Sequence, residues 1–105
     1  MLRNAETETR NSISSSNLVQ LTNHAVKRSQ QRGISHQSLE LAVQFGKRQR
    51  ERNGLLRRTL GRREIRHIRD LNIVAPGALD HMDGVSVITK EELDQVRVVT
   101  VMRIG

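Results

Sequence analysis

The most pointed chemistry in the chain lies in one short stretch. His24, Arg28 and Gln31 fall at i, i+4 and i+7, which on a helix sets them on one side, with Arg32 about 80° away. An imidazole can take a proton from a hydroxyl. A guanidinium can hold a phosphate and offset charge that develops on it. Together these are the parts of metal-independent RNA cleavage, which needs a base for the 2′-hydroxyl and positive charge for the pentacoordinate phosphate. The same spacing also suits a hydrogen-bonded surface histidine, so it leaves both readings open.

Other chemistry is thinner. His67 lies among arginines and can serve as a second acid or base. Asp80-His81-Met82-Asp83 carries metal-ligand residue types in a loop, but two carboxylates and an imidazole lack a fourth partner, so no metal is expected. The absence of Cys removes disulfides and thiolate zinc sites. There is no Gly-rich phosphate loop, no His-Glu-x-x-His pair and no serine elbow, and no cofactor is expected.

Charge gives the broader signal. The 105 residues carry a net charge of +7, which points to a polyanionic partner with nucleic acid first. Residues 47–69 hold ten bases against Glu51 and Glu64, or +8, while residues 70–105 sum to −3. Nine of the ten bases are Arg, whose planar fork matches phosphate better than an ammonium does. Lys47, Arg48, Arg50, Arg52, Arg57, Arg58, Arg62 and Arg63 are the expected nucleic-acid contacts, with their side chains mostly exposed. Phe45 is the single aromatic, so a surface that stacks bases on aromatic rings is excluded.

The elements that must position these groups follow from pattern. Residues 1–17 are rich in Asn, Ser, Thr and Glu and read as a disordered tail, leaving residues 18–105 as one domain. Thr22 caps a helix over about 23–32 that Gly33 ends, and Ser35 caps a second over about 36–45 that Gly46 ends. Asn53-Gly54 joins two polar strands over 47–52 and 55–60. Residues 62–69 form a short helix with Ile65 and Ile68 inward, and Pro76-Gly77 marks a loop. Residues 85–89 and 96–103 are β-branched strands, and Thr89 to Glu92 opens one helical turn or a polar hairpin loop. The expected fold is α+β: two N-terminal helices on a four-stranded antiparallel sheet, with a short helix between the second and third strands. No apolar run reaches a membrane span, so the protein is expected in the cytoplasm without a membrane partner.

From His24-Ala25-Val26-Lys27-Arg28 through Arg32-Gly33-Ile34-Ser35 the chain resembles a family of small bacterial proteins, the domain of unknown function forty-two fifty-eight. Its members typically open with His-Ala-x-x-Arg-Met-x-x-Arg-Gly-Ile-Ser. The likeness continues through Leu39, Ala42 and Gly46, then Leu60-Gly61-Arg62-Arg63-Glu64, and ends at Val98-Val99-Thr100-Val101-Met102-Arg103. The resemblance implies the fold of RelE- and barnase-type ribonuclease toxins and a metal-independent endoribonuclease activity. It implies His24, Arg28 and Arg32 as the site, with Thr100 and Arg103 nearby on the last strand. Ser29 stands where the family usually has Met, and Met102 where it commonly has Tyr.

Three functions remain open at this stage. The chain binds RNA and, if it is an enzyme, cleaves it; or it is a non-catalytic module that holds DNA or RNA by phosphate. A helix-turn-helix around Gly33 belongs to that second class, but its second helix offers only Gln37 and Gln44 to read bases. In the third, the basic face meets an acidic protein partner such as an antitoxin tail.

Overall fold

The computed structural model describes residues 19–104. The expected tail over residues 1–17 lies outside them. The chain enters through a three-residue strand, Val19–Leu21 (β1), and turns at Thr22 into α1, Asn23–Gln31. Thr22 Oγ1 accepts from the Ala25 amide at 3.1 Å and donates to the Val99 carbonyl at 3.1 Å. One side chain therefore caps the helix and ties its start to the sheet. Gly33, at φ 65°, releases the chain from α1. Ser35 then caps α2, His36–Phe45, by accepting from the Ser38 amide at 3.1 Å.

Lys47–Arg50 (β2) and Leu56–Thr59 (β3) form a hairpin whose turn places Asn53 at φ 61° and Gly54 at φ 75°. These positive angles are what an Asn-Gly pair supplies cheaply. α3, Arg62–Leu71, ends at Asn72 in the left-handed region. Pro76–Leu79 forms a single turn, α4, where a loop was expected, because Pro fits the first helical position. Val85–Glu92 (β4) and Gln95–Arg103 (β5) complete the order. The strand runs unbroken through Glu92, so neither the helical turn nor the longer loop expected after Thr89 forms.

The sheet has five strands in the order β1-β5-β4-β3-β2, with β1 parallel to β5 and the other pairs antiparallel. This corrects the expected four-stranded antiparallel sheet. β1 is too short to show alternation, and only pairing with β5 defines it.

One apolar core fills the side of the sheet that carries the helices. Ala25, Leu39, Ala42, Val43, Ile65 and Ile68 meet Val85, Val87, Val98 and Val101 there. Ile88 is buried yet outside that cluster, as expected for a strand residue between Val87 and Thr89. Ser86, Ile88 and Thr100 therefore belong to the opposite face. Gly46 lets α2 end directly against β3: a Cβ there would press on the Ala42 carbonyl oxygen and lie 2.9 Å from backbone atoms of Arg58 and Thr59. No helix among the described residues is long and apolar enough to cross a membrane.

Candidate nucleic-acid interface

β2 is the outer strand beside β3, and all four of its residues, Lys47, Arg48, Gln49 and Arg50, are exposed. Charge on an edge strand keeps other strands from adding to it. Its register sets Lys47 opposite Thr59, and β3 passes through Leu60 and Gly61 into α3. Lys47 thus reaches the start of α3, where it lines a cleft of about 370 Å³ with Arg62, Arg63 and Glu64. Gly61 precedes the helix and has no side chain to cap it, while Glu64 Oε1 accepts from the Gly61 amide at 2.9 Å. The first-turn amides of α3 have no intrahelical acceptor, so the positive end of the helix adds to the three cations.

α3 continues the positive surface. Arg62, Arg66 and Arg69 repeat at i, i+4 and i+7, all exposed, along one flank of the buried Ile65 and Ile68. The same three arginines line a second cleft of about 340 Å³, shared with Asp80 and Asp83 from the α4 side. Among the described residues, none of Lys47, Arg48, Arg50, Arg62, Arg63, Arg66 or Arg69 is within ion-pair distance of an acid. Arg66 and Arg69 were not among the expected contacts. Their signal, a helical repeat begun by Arg62, was present in the sequence.

Arg58 departs from expectation. It is 3% exposed, on the helix side of the sheet, and its hydrogen bonds are internal. Nη1 donates to the Val43 carbonyl at 2.7 Å, Nε to Thr89 Oγ1 at 3.1 Å, and Nη2 to Glu91 Oε2 at 2.7 Å. Burial, with Arg48 alongside, pulls the guanidinium below its ordinary pKa, and Glu91 opposes the shift. Arg58 joins the end of α2 to β4 and cannot reach a nucleic acid. Arg57, on the other face, is half-buried with Nε 3.1 Å from Glu51 Oε2, so it is only partly available. Arg52 is exposed at the hairpin turn.

The residues expected to form a catalytic site are spread out. His24 is exposed on the first turn of α1, with Arg28 one turn on and half-buried. The Arg28 Nε is buried without a hydrogen-bond partner. Arg32, exposed, is the residue that ends α1, about 12 Å along the helix axis from His24. Arg103 lies five residues along β5 from the Val98 carbonyl that holds the start of α1, and its Nη2 donates to the His81 carbonyl at 2.9 Å. Thr100 pairs with Ile88 on the face away from α1. His24 and Arg28 are thus neighbours, while Thr100 and Arg103 do not join them. α1 packs on β5, three strand spacings from β2. At ~4.8 Å per strand, about 14 Å of sheet separates the His24 group from the arginine edge.

Neither a curated protein nor a solved structure matches the chain. The residues on α1, at the α3 start and on β5 nonetheless lie within one recognised unit. Residues 21–103 match the family described as Domain of unknown function (DUF4258), and the chain belongs to that family.

Proposed function

We propose that this domain binds RNA by its phosphate backbone, through the surface where β2 meets the start of α3. The observation that carries the reading is the convergence of Lys47, Arg62 and Arg63, with Glu64 as the single acid, on one cleft at a helix start that Gly61 leaves without a side-chain cap, beside the exposed Arg48 and Arg50. Concentrated, unpaired positive charge in a concave site raises the local concentration of a polyanion. RNA is the partner of choice because the family resemblance leads to ribonuclease toxins of the RelE and barnase type. The α+β layout, with helices covering one side of the sheet, is compatible with that fold. A cytoplasmic location goes with an RNA partner.

Cleavage is the second reading, favoured by the exposed His24 standing one helical turn from the half-buried Arg28. In it His24 takes the 2′-hydroxyl proton, and Arg28 and Arg32 offset charge on the phosphate. An acidic protein covering the same basic surface would compete with RNA rather than replace it as the ligand.

Purified protein titrated with RNA over a range of salt tests the first reading. Binding should weaken with a log–log slope of about −0.7 for each phosphate neutralised on a single strand. A slope near zero would exclude backbone recognition. Incubation of RNA in EDTA with the parent protein and with His24→Ala and Arg32→Ala variants tests the second. Equal cleavage by all three would remove the α1 site, and no cleavage by the parent would leave the binding module.

A further inference from the structure

We infer that the nucleic acid this surface fits is a duplex, held along α3 as well as at β2, with Arg66 and Arg69 as backbone contacts. The inference rests on the phosphate-binding reading above and narrows its substrate class.

Two arms of charge meet at the Lys47–Arg62 corner. One is β2, from Lys47 to Arg50, about 10 Å of extended strand. The other is α3, from Arg62 to Arg69, about 10 Å of helix. The cations sit on two separate elements, Arg48 and Arg50 along β2 and Arg62, Arg66 and Arg69 along α3, so they can meet separate runs of phosphate such as the two strands of a duplex present. Single-stranded nucleic acid is usually held by stacking its bases on aromatic side chains. Phe45, the one Phe, Tyr or Trp of the chain, is half-buried, and the His67 imidazole on α3 is already engaged edge-on with it, ring centroids 5.7 Å apart.

Guanidinium planes can also stack on bases, but the spacing on α3 does not favour it. Arg62, Arg66 and Arg69 step along the axis by about 6 Å and 4.5 Å. A stack of bases rises only ~3.4 Å per step. A ligand whose bases are already paired and stacked needs no platform and presents only phosphates and sugars. A surface rich in Arg and without an exposed Phe, Tyr or Trp suits that ligand.

The test compares a blunt RNA duplex of about two helical turns with one of its strands made unstructured, at matched salt, against the parent protein and an Arg66→Gln/Arg69→Gln variant. The duplex should bind about tenfold tighter than the strand. The variant should lose roughly one unit of salt slope per arginine on the duplex while keeping its thermal midpoint. A strand that binds as tightly as the duplex overturns the duplex assignment and leaves backbone binding standing. An unchanged slope in the variant overturns the role of α3. Failure of both nucleic acids to bind overturns the proposed function itself.

Discussion

Arg48 and Arg58 face each other across the β2–β3 pair, one residue type at one register position, and they have opposite fates. Arg48 stands on the sheet edge in solvent. Arg58, one strand inward, lies beneath the end of α2 with three hydrogen-bonded partners. A buried guanidinium is tolerable only when its donors are satisfied, and Arg58 meets that condition through Val43, Thr89 and Glu91. The charge that makes β2 a candidate ligand surface makes β3 a structural joint. Net charge over residues 47–69 therefore overstates the exposed charge.

The largest effect expected from this contrast is on stability. Arg58→Ala should cost about 2–3 kcal/mol, because it strips the partner from the Val43 carbonyl and Thr89 and empties a buried site, while the exposed Glu91 returns to water. At ~4–8 °C per kcal/mol for a domain of this size, the thermal midpoint should fall by ~10 °C or more. Arg48→Ala should stay within about 0.5 kcal/mol. Parallel urea melts of the two variants check this, and equal losses would show that Arg58 is not the joint described.

Binding reverses the order. Replacing Lys47, Arg62 and Arg63 with Gln should lower RNA affinity by about tenfold or more and reduce the salt slope, with the melt preserved since all three side chains are exposed. Filter binding or anisotropy across a salt series measures it. An unaltered affinity would move the interface away from the α3 start.

Much of this architecture was legible in the residues. Thr22 and Ser35 are where their caps were expected, Asn53-Gly54 makes the hairpin, and Ile65 and Ile68 turn inward from α3. Each of these is a local signal, set by a side chain acting within a few residues of itself. β1 and Arg58 failed for the converse reason. β1 is a strand only because β5 lies beside it. Arg58 is buried because Gly46 brings α2 down onto β3 and because Glu91 arrives from a strand 33 residues away. The candidate catalytic group divides the same way. His24 and Arg28 are helical neighbours and could be read as a pair, whereas Thr100 depended on which face of β5 it takes.

The helix starts offer a finer contrast. α1 and α2 carry side-chain caps from Thr22 and Ser35, but α3 begins at Gly61 and leaves its first amides open among Lys47, Arg62 and Arg63. Gly61→Asp should supply the missing cap, since φ at this position is −93° and the nearest neighbour of an added Cβ is the flexible Glu64 carboxylate at 3.0 Å. Stability should rise by only about a few tenths of a kcal/mol over glycine. RNA affinity should fall several-fold, because a carboxylate would occupy the amides offered to phosphate. A variant that gains stability without losing affinity would show that those amides take no part.

The smallest expected effect lies on the far wall of the second cleft. Asp80 and Asp83 share that cleft with Arg62, Arg66 and Arg69, yet no ion pair joins the two sets. Acids at that position oppose a phosphate approaching α3, and screening by salt limits the opposition to a modest term. Asp80→Asn/Asp83→Asn should therefore raise duplex affinity by about two- to threefold at low salt, with the gain shrinking as salt increases. Combined with Arg66→Gln/Arg69→Gln, the same substitutions should give less gain than in the parent, because the phosphates they repel are held there by those arginines. Full additivity of the two pairs would mean that the acids act on the ligand from a distance and that the α3 cleft is not where its backbone lies.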